Sequence, residues 1–257
     1  MKPAKFKDHF STTSKEYASS RPKYPRPLFE FLVGLVQRRN LAWDCATGNG
    51  QAAVFLSEYF EQLVASDASK DQIETAHHRN NIRYKVFPAE RSKLADNSVD
   101  LIAIAQALHW FDLDVLYKDA KRVLRKNGKD GGGVIAAWAY GLHSVSREVD
   151  NVTHSLYEDI LGPYWPKERK IVENRYEALP FPFQEIDTPV FQIELDWSLL
   201  ELIRYLYTWS SVQEFIKKNN SDPVKQVYDQ LASAWGEKKN RQTRRVVWPI
   251  HMRIGRA

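Results

Sequence analysis

The chain has 257 residues, of which 43% are hydrophobic and 27% charged, so it is a globular chain that buries a substantial core rather than a disordered one. Its net charge of +5 permits an anionic partner without requiring one. Cys45 is the one cysteine, which excludes an intrachain disulfide framework. The sequence shows neither a signal-peptide pattern nor a run of about 18 apolar residues. We therefore expect a cytoplasmic protein without a membrane span.

Strands and helices are predicted to alternate through the first half of the chain. Pro27 suits the first turn of the first helix, Ser69 is a candidate N-cap for a helix to about Arg79, and Asp112 caps another. The predicted strands are 41–44, 63–67, 82–86, 100–105 and 134–138. This alternation is typical of a doubly wound, mostly parallel α/β sheet.

The pattern loosens after Tyr140. An alternating strand is predicted near 190–197 and a final strand at 246–254, where Pro249 indicates a sheet edge or a bulge. We therefore expect a single domain over 1–257. Its core is predicted at about 27–140 with strands near 188–197 and 244–255, and its lid at 1–26, 141–187 and 198–236.

A glycine loop follows the first strand. The segment 48–53 fits the G-x-G-x-x-[GA] dinucleotide pattern, and Asp67 lies about 20 residues further on, so an NAD-dependent oxidoreductase is one interpretation. Asp44 argues against it, because a carboxylate beside the loop would repel a pyrophosphate. S-adenosylmethionine has no phosphate and carries an ammonium and a sulfonium, which a carboxylate attracts. The sequence therefore favours S-adenosylmethionine.

Polar side chains at successive strand ends complete the predicted cofactor site. We expect Asp67 to accept both ribose hydroxyls, Ala89 and Glu90 to meet the adenine, and Gln106 to line the methionine end. The full predicted set is Asp44, Ala46, Gly48, Gly50, Asp67, Ala68, Ala89, Glu90 and Gln106.

The segment 43–50 resembles the glycine loop of class I S-adenosylmethionine-dependent methyltransferases, with Ala46 where many members have a first glycine. Because alanine is small, we expect little loss from this difference. The segments 21–25 and 105–112, with Tyr17, resemble the subgroup of trans-aconitate methyltransferase-like proteins. The resemblance implies a seven-stranded Rossmann-like sheet with a helical lid, S-adenosylmethionine as cofactor and a small-molecule acceptor.

His109 follows the fourth predicted strand and is the candidate catalytic base. A carboxylate acceptor needs no base, whereas a hydroxyl or an amine does. Arg21 could hold an anionic acceptor. The side chains expected to bind the acceptor are Tyr17, Arg21, Tyr24, Trp110 and Phe111.

Two further alternatives are a nucleic-acid methyltransferase and a non-catalytic protein that retains the cofactor pocket. The basic net charge suggests the first, but the fourth strand lacks an Asn-Pro-Pro-aromatic motif and no cysteine is placed as a pyrimidine nucleophile. We expect no metal, because the adjacent His77 and His78 would point apart on a helix. The expected partner is a small acceptor, with no nucleic acid and no membrane, and the expected assembly is a monomer or weak dimer.

Overall fold

The computed structural model describes residues 20–126, 131–236 and 242–257. The strands in these residues are β1 (Leu41–Cys45), β2 (Gln62–Asp67), β3 (Ile82–Val86), β4 (Leu101–Ala105), β5 (Val134–Tyr140), β6 (Gln184–Glu185), β7 (Phe191–Trp197) and β8 (Arg244–Arg256). The α-helices are α1 (Arg26–Gly34), α2 (Gln51–Leu56), α3 (Lys70–Glu74), α4 (Leu113–Val123), α5 (Arg147–His154), α6 (Arg169–Glu173), α7 (Leu199–Tyr207), α8 (Ser210–Asn219), α9 (Pro223–Gln226) and α10 (Tyr228–Trp235).

The described strands form one sheet in the order β3-β2-β1-β4-β5-β8-β6, with β7 also paired to β8. Strands β1 to β5 pair in parallel, and β8 runs antiparallel to β5, β6 and β7. The predicted mostly parallel, doubly wound α/β fold is confirmed. Eight strands are described rather than seven because two strands share one edge of β8, β7 along 244–250 and β6 along 255–256.

The order of the strands creates a crevice between β1 and β4. From β1 the chain moves outward through β2 and β3, and then returns to place β4 on the other side of β1. Open α/β sheets bind ligands outside the carboxyl ends of the strands at such a switch point. β1, β4 and β5 are almost entirely buried, so their ends are fixed by the core and hold this crevice in place.

Both predicted caps are present, but one helix is shorter than expected. The Asp112 side chain accepts a hydrogen bond from the Val115 amide, and that of Ser69 accepts one from the Gln72 amide. The helix after Ser69 ends at Glu74 instead of near Arg79. It has no buried residue, and a helix without a packed apolar face has little to extend it.

The final strand lies inside the sheet and pairs with β5 and β7 in an unbroken register, so the prediction of an edge or a bulge at Pro249 is wrong. The Pro249 carbonyl accepts a hydrogen bond from the Gly141 amide, one residue beyond the end of β5 at Tyr140. In an antiparallel strand the N–H and the C=O of a residue point toward the same neighbouring strand. The N–H that Pro249 lacks would therefore point toward Gly141, beyond the end of β5. The proline therefore costs the β5–β8 ladder no hydrogen bond.

Helices α5 and α7 to α10 contribute buried side chains to a hydrophobic cluster that also takes in one face of the sheet. They belong to the region predicted as the lid. This region and the sheet share one hydrophobic core. Within the described residues, no helix is both long and apolar enough to cross a membrane.

Candidate functional site

The loop after β1 depends on left-handed backbone. Gly48 and Gly50 have φ of 55° and 88°. A Cβ at Gly50 would lie 2.4 Å from the Tyr84 hydroxyl oxygen, so no other residue fits there without a shift. A Cβ at Gly48 would meet nothing closer than 3.8 Å, so the reason for glycine there is its φ. The loop thus turns sharply at the crevice between β1 and β4.

Ala46 also has a left-handed backbone, with φ of 57°. A residue with a Cβ pays about 1–2 kcal/mol in this conformation, so the alanine is not as neutral as its size suggests. Ala46→Gly is expected to raise the free energy of unfolding by about 0.5–1 kcal/mol, after the entropy cost of glycine is subtracted. Denaturant unfolding measures this change.

Ala52→Gly is the matched control for that variant. Ala52 lies in α2, where glycine is expected to cost about 1 kcal/mol. A loss of stability in both variants would contradict the strain that we assign to Ala46.

The Asp44 carboxyl is completely buried at the end of β1. Its Oδ2 accepts a hydrogen bond of 2.5 Å from the Thr47 hydroxyl, while its Oδ1 has no hydrogen-bond partner among the described residues. Burial raises the pKa of Asp44 to about 7. The Thr47 hydroxyl and the Ala53 amide lower it, the Ala53 amide without making a hydrogen bond to Oδ1, and the charge of Asp67 raises it. One carboxylate oxygen therefore lacks the donor or cation that a buried charge requires.

Asp67 joins the glycine loop to the turn after β2. Its Oδ2 accepts a hydrogen bond of 2.9 Å from the Gly48 amide, and its Oδ1 accepts one of 2.8 Å from the Ser69 amide. Each carboxylate oxygen has a second lone pair, so both can also accept from a ribose hydroxyl. Ala68, between Asp67 and Ser69, is exposed.

Gln106 follows β4 with a left-handed φ of 58°. Its amide donates to the Trp138 carbonyl at 2.8 Å, which fixes this turn, and its side-chain Nε2 is buried without a hydrogen-bond partner in the described chain. Strained residues of this kind occur at functional sites. Because β1 and β4 are neighbours, the unpaired oxygen of Asp44 and the unpaired amide of Gln106 lie at adjacent strand ends. A carboxylate oxygen of this kind could accept from an ammonium, and the amide nitrogen could donate to a carboxylate.

Glu90 lies in a 3₁₀ turn, Ala89–Arg91, in which Ala89 is buried. The Glu90 Oε1 accepts a hydrogen bond of 3.3 Å from the Asp112 amide. It therefore connects the segment after β3 to the start of α4. The predicted contact of Ala89 and Glu90 with adenine stays a prediction.

His109 lies in the 3₁₀ turn Leu108–Trp110 after β4, with its Nδ1 at 3.0 Å from the Tyr176 hydroxyl oxygen. Burial, and secondly the charge of Arg169, lower the pKa of His109 to about 3. Its neighbour Trp110 is 38% exposed, and the two rings lie 4.7 Å apart. Phe111 is partly buried and packs against a hydrophobic cluster that includes Trp43, Leu108 and Tyr117, which favours a structural role for it.

The sequence reasoning missed Tyr176. Its side chain is 1% exposed, and it follows Arg175 in a turn where both residues have left-handed φ, 55° and 63°. This turn places the Tyr176 hydroxyl next to the His109 ring. The position lies 67 residues from His109, so the contact is set by packing and has no local sequence signal.

Arg21 connects the amino-terminal segment to the sheet and the lid. Its Nη1 donates to the Tyr140 hydroxyl at 2.7 Å, and its Nη2 donates to the Thr208 carbonyl at 3.1 Å. The guanidinium carbon lies 5.7 Å from the centre of the Tyr205 ring. The segment at Arg21 is therefore docked at the end of β5 rather than free in solvent.

Tyr24 packs edge-on against Trp138 of β5, with ring centres 5.6 Å apart. Burial raises the pKa of Tyr24 well above its usual value, and the neighbouring Tyr140 and Asp44 add to this. Tyr24 thus lies near Asp44 and Tyr140 and does not ionise at neutral pH. Tyr17 lies outside the described residues.

A second arginine, Arg169, lies on the lid side of His109. Its Nε donates to the Tyr157 hydroxyl at 2.6 Å, and its guanidinium carbon lies 5.1 Å from the centre of the Trp165 ring. Tyr157 belongs to a π-helix, Ser155–Ile160, a feature that often marks functional sites. Arg21 and Arg169 therefore each place a guanidinium next to an aromatic ring.

His143 is a further residue that the sequence reasoning missed. It follows β5, is 1% exposed, and neither ring nitrogen has a hydrogen-bond partner within the described part of the chain. Burial lowers its pKa to about 3. The rings of Tyr205, Trp209 and Trp248 surround it at 5.7–6.1 Å. It is a neutral imidazole enclosed by aromatic rings of α7, of the turn after α7 and of β8.

Residues 43–129 match the family described as "methyltransferase domain". A protein of Dictyostelium discoideum that is named as a methyltransferase is 35% identical over 237 residues, which cover 91% of this chain and 88% of that protein. An uncharacterised methyltransferase of Schizosaccharomyces pombe is 26% identical over 208 residues, 79% of each chain. The solved structure of a protein named as a type II methyltransferase from Anaeromyxobacter dehalogenans has a TM-score of 0.84 and 42% identity, over 92% of this chain and 97% of that one.

Proposed function

Because the chain belongs to the class I S-adenosylmethionine-dependent methyltransferases, we propose that it methylates a small-molecule acceptor at a carboxylate or hydroxyl oxygen. Its membership of the family makes it a methyltransferase with S-adenosylmethionine as cofactor. The kind of acceptor and the roles of individual residues are our proposal. The observation that carries these roles is the buried, unpaired Oδ1 of Asp44 beside the glycine loop.

Each strand end has a role at the cofactor. Asp44 binds the α-ammonium, Gln106 binds the α-carboxylate, and Asp67 accepts the ribose hydroxyls. The turns at Gly48 and Gly50 bring the backbone close to the ligand. S-adenosylmethionine supplies an electrophilic methyl group on a positively charged sulfur. Because that methyl group is already activated, the residues of the chain have to position the acceptor and exclude water.

The acceptor side lies beyond the end of β4. His109 and the partly exposed Trp110 contact the acceptor, and Arg21 and Arg169 favour a negative charge on it. The docked position of Arg21 supports a lid in which residues before α1 take part. The resemblance to trans-aconitate methyltransferase-like proteins adds to the proposal of a carboxylate. Within the proposal, the whole chain is one domain with core and lid as predicted, cytoplasmic, and a monomer or weak dimer.

Transfer of radiolabel from methyl-labelled S-adenosylmethionine tests the acceptor class. The arms are benzoate, benzyl alcohol, a DNA duplex and an RNA, each incubated with the full chain. We expect label in the benzoate or benzyl alcohol arm and none in the nucleic acids. Label in DNA or RNA alone would overturn the proposal in favour of a nucleic-acid methyltransferase.

Thermal unfolding with added ligand is the companion measurement. S-adenosylmethionine and its demethylated product, S-adenosylhomocysteine, are expected to raise the melting temperature, because each binds the folded chain and not the unfolded one. NAD at the same concentration is expected to leave it unchanged. A shift with NAD comparable to that with S-adenosylhomocysteine would contradict the assigned cofactor contacts.

A further inference from the structure

The contact between His109 and Tyr176 has a direction, and that direction determines what His109 offers to the acceptor. A neutral imidazole carries one proton, on Nδ1 or on Nε2. If Nδ1 carries it, Nε2 is a lone pair and can act as a base. If Nε2 carries it, Nε2 is a hydrogen-bond donor. The two cases suit different acceptors, because a base serves a hydroxyl and a donor serves a carboxylate.

The surroundings of the Tyr176 hydroxyl decide between the two cases. Tyr176 is 1% exposed, and burial keeps its pKa raised, so the hydroxyl is protonated and needs an acceptor for its proton. The Leu108 backbone lowers that pKa, which is the effect of a donor and not of an acceptor, so it cannot take the proton. The His109 Nδ1, at 3.0 Å, is the acceptor that the described residues provide.

We propose that Tyr176 is a positioning residue that donates its hydroxyl proton to Nδ1 of His109 and so presents Nε2–H as a hydrogen-bond donor to an anionic acceptor. With Nδ1 protonated instead, the Tyr176 hydroxyl would be a buried donor without a partner, which is the less stable arrangement. The low pKa of His109 supports this, since it keeps the ring neutral and makes it a weak base.

The other nitrogen of His109 is free to make this contact. Nε2 makes no hydrogen bond with the described residues and is not among the buried unpaired atoms, so it remains open to a ligand. The positive charge of Arg169, which already acts on His109, would add attraction for an anion, although its ion pair with Glu173 at 4.0 Å reduces this attraction. A carboxylate oxygen attacks without losing a proton, so this arrangement needs no base. The inference rests on the proposed function and narrows its acceptor from carboxylate or hydroxyl to carboxylate.

Nitrogen NMR of the chain with ¹⁵N-labelled histidine, in complex with S-adenosylhomocysteine, tests the proton position directly. His109→Gln identifies the His109 signals by their loss. We expect Nε2 to carry the proton and Nδ1 to give the signal of an unprotonated nitrogen. The Nδ1–H tautomer in the unmodified chain would overturn the proposal, and this measurement requires no acceptor and no activity.

Two further measurements test whether Tyr176 causes the Nε2–H tautomer and whether that N–H favours an anionic acceptor. Tyr176→Phe is expected to shift His109 toward a mixture of tautomers, whereas Tyr164→Phe, which removes a lid hydroxyl bonded to Asn219, should leave it unchanged. Equal spectra in the two variants would contradict the role of Tyr176. Sodium benzoate is expected to shift the Nε2–H resonance more than benzyl alcohol does, and an equal or smaller shift would overturn the anionic acceptor. Binding of S-adenosylhomocysteine, measured in the same samples, reports separately on the proposed cofactor site.

Discussion

Asp44→Asn is expected to weaken the binding of S-adenosylmethionine by about 10- to 100-fold at pH 8 while making the cofactor-free protein more stable. The loss of binding corresponds to about 1.5–3 kcal/mol for a hydrogen bond to a charged group. The gain in stability arises because the variant no longer buries an ionised carboxyl with an unpaired oxygen. The ionised Asp44 carboxyl is therefore expected to strengthen cofactor binding and to lower the stability of the cofactor-free protein.

The pH dependence follows from the same burial. Because the pKa of Asp44 is raised from 3.8 to about 7, the folded protein holds this proton more tightly than the unfolded chain does. Its contribution to the free energy of unfolding is greatest below about pH 3.8, falls as the pH rises and levels off above about pH 7. A cofactor cation favours the ionised carboxyl, so cofactor affinity is expected to rise with pH and level off above about pH 7.

Titration calorimetry from about pH 5.5 to about pH 8.5 checks the affinity, and thermal unfolding without cofactor checks the stability. Asp71→Asn is the control, because Asp71 is an exposed aspartate on α3. We expect the control to bind as the parent does, and the affinity of Asp44→Asn to lose the rise with pH that Asp44 causes. Unchanged affinity in Asp44→Asn at pH 8 would show that Asp44 does not bind the cofactor's cation.

Asp67→Ala is expected to remove most of the rise in melting temperature that S-adenosylhomocysteine causes. The variant loses the carboxylate proposed for the ribose, a loss of about 1.5–3 kcal/mol in binding, or roughly 10- to 100-fold in affinity. It also leaves the amides of Gly48 and Ser69 without their present acceptor, so the loop becomes less well held. Thermal unfolding across a range of ligand concentrations measures the effect.

Asp71→Ala serves as the control here, since it makes the same substitution a few residues away on the surface. Its ligand-induced shift should equal that of the parent. If Asp67→Ala binds S-adenosylhomocysteine as tightly as the parent, the assignment of Asp67 to the ribose is wrong.

The parallel sheet could be predicted because its signals are local. Apolar strands, glycines and the cap at Asp112 lie within short windows of sequence, and the spacing from Gly48 to Asp67 relates neighbouring strand ends. The number of strands could not be predicted, because the sharing of one edge of β8 by β6 and β7 depends on how distant segments meet.

The acceptor side was harder to predict for the same reason. Arg21 meets Tyr140 across 119 positions, and His109 meets Tyr176 across 67. Left-handed backbone at Gln106 and Tyr176 has no residue-type signal either, since neither is a glycine. The sequence could suggest that His109 matters, but the direction of its hydrogen bond depends on a neighbour that only the folded chain provides.

The interior position of β8 has a consequence for synthesis of the protein. β5 is buried along its whole length, and the strand that pairs with its outer edge is made last among the described strands. Until β8 leaves the ribosome, that edge is an apolar strand with open hydrogen-bonding groups, a surface on which partly made chains associate. Substitutions that weaken β8 should therefore reduce the yield of folded protein in cells more than the activity of the molecules that do fold.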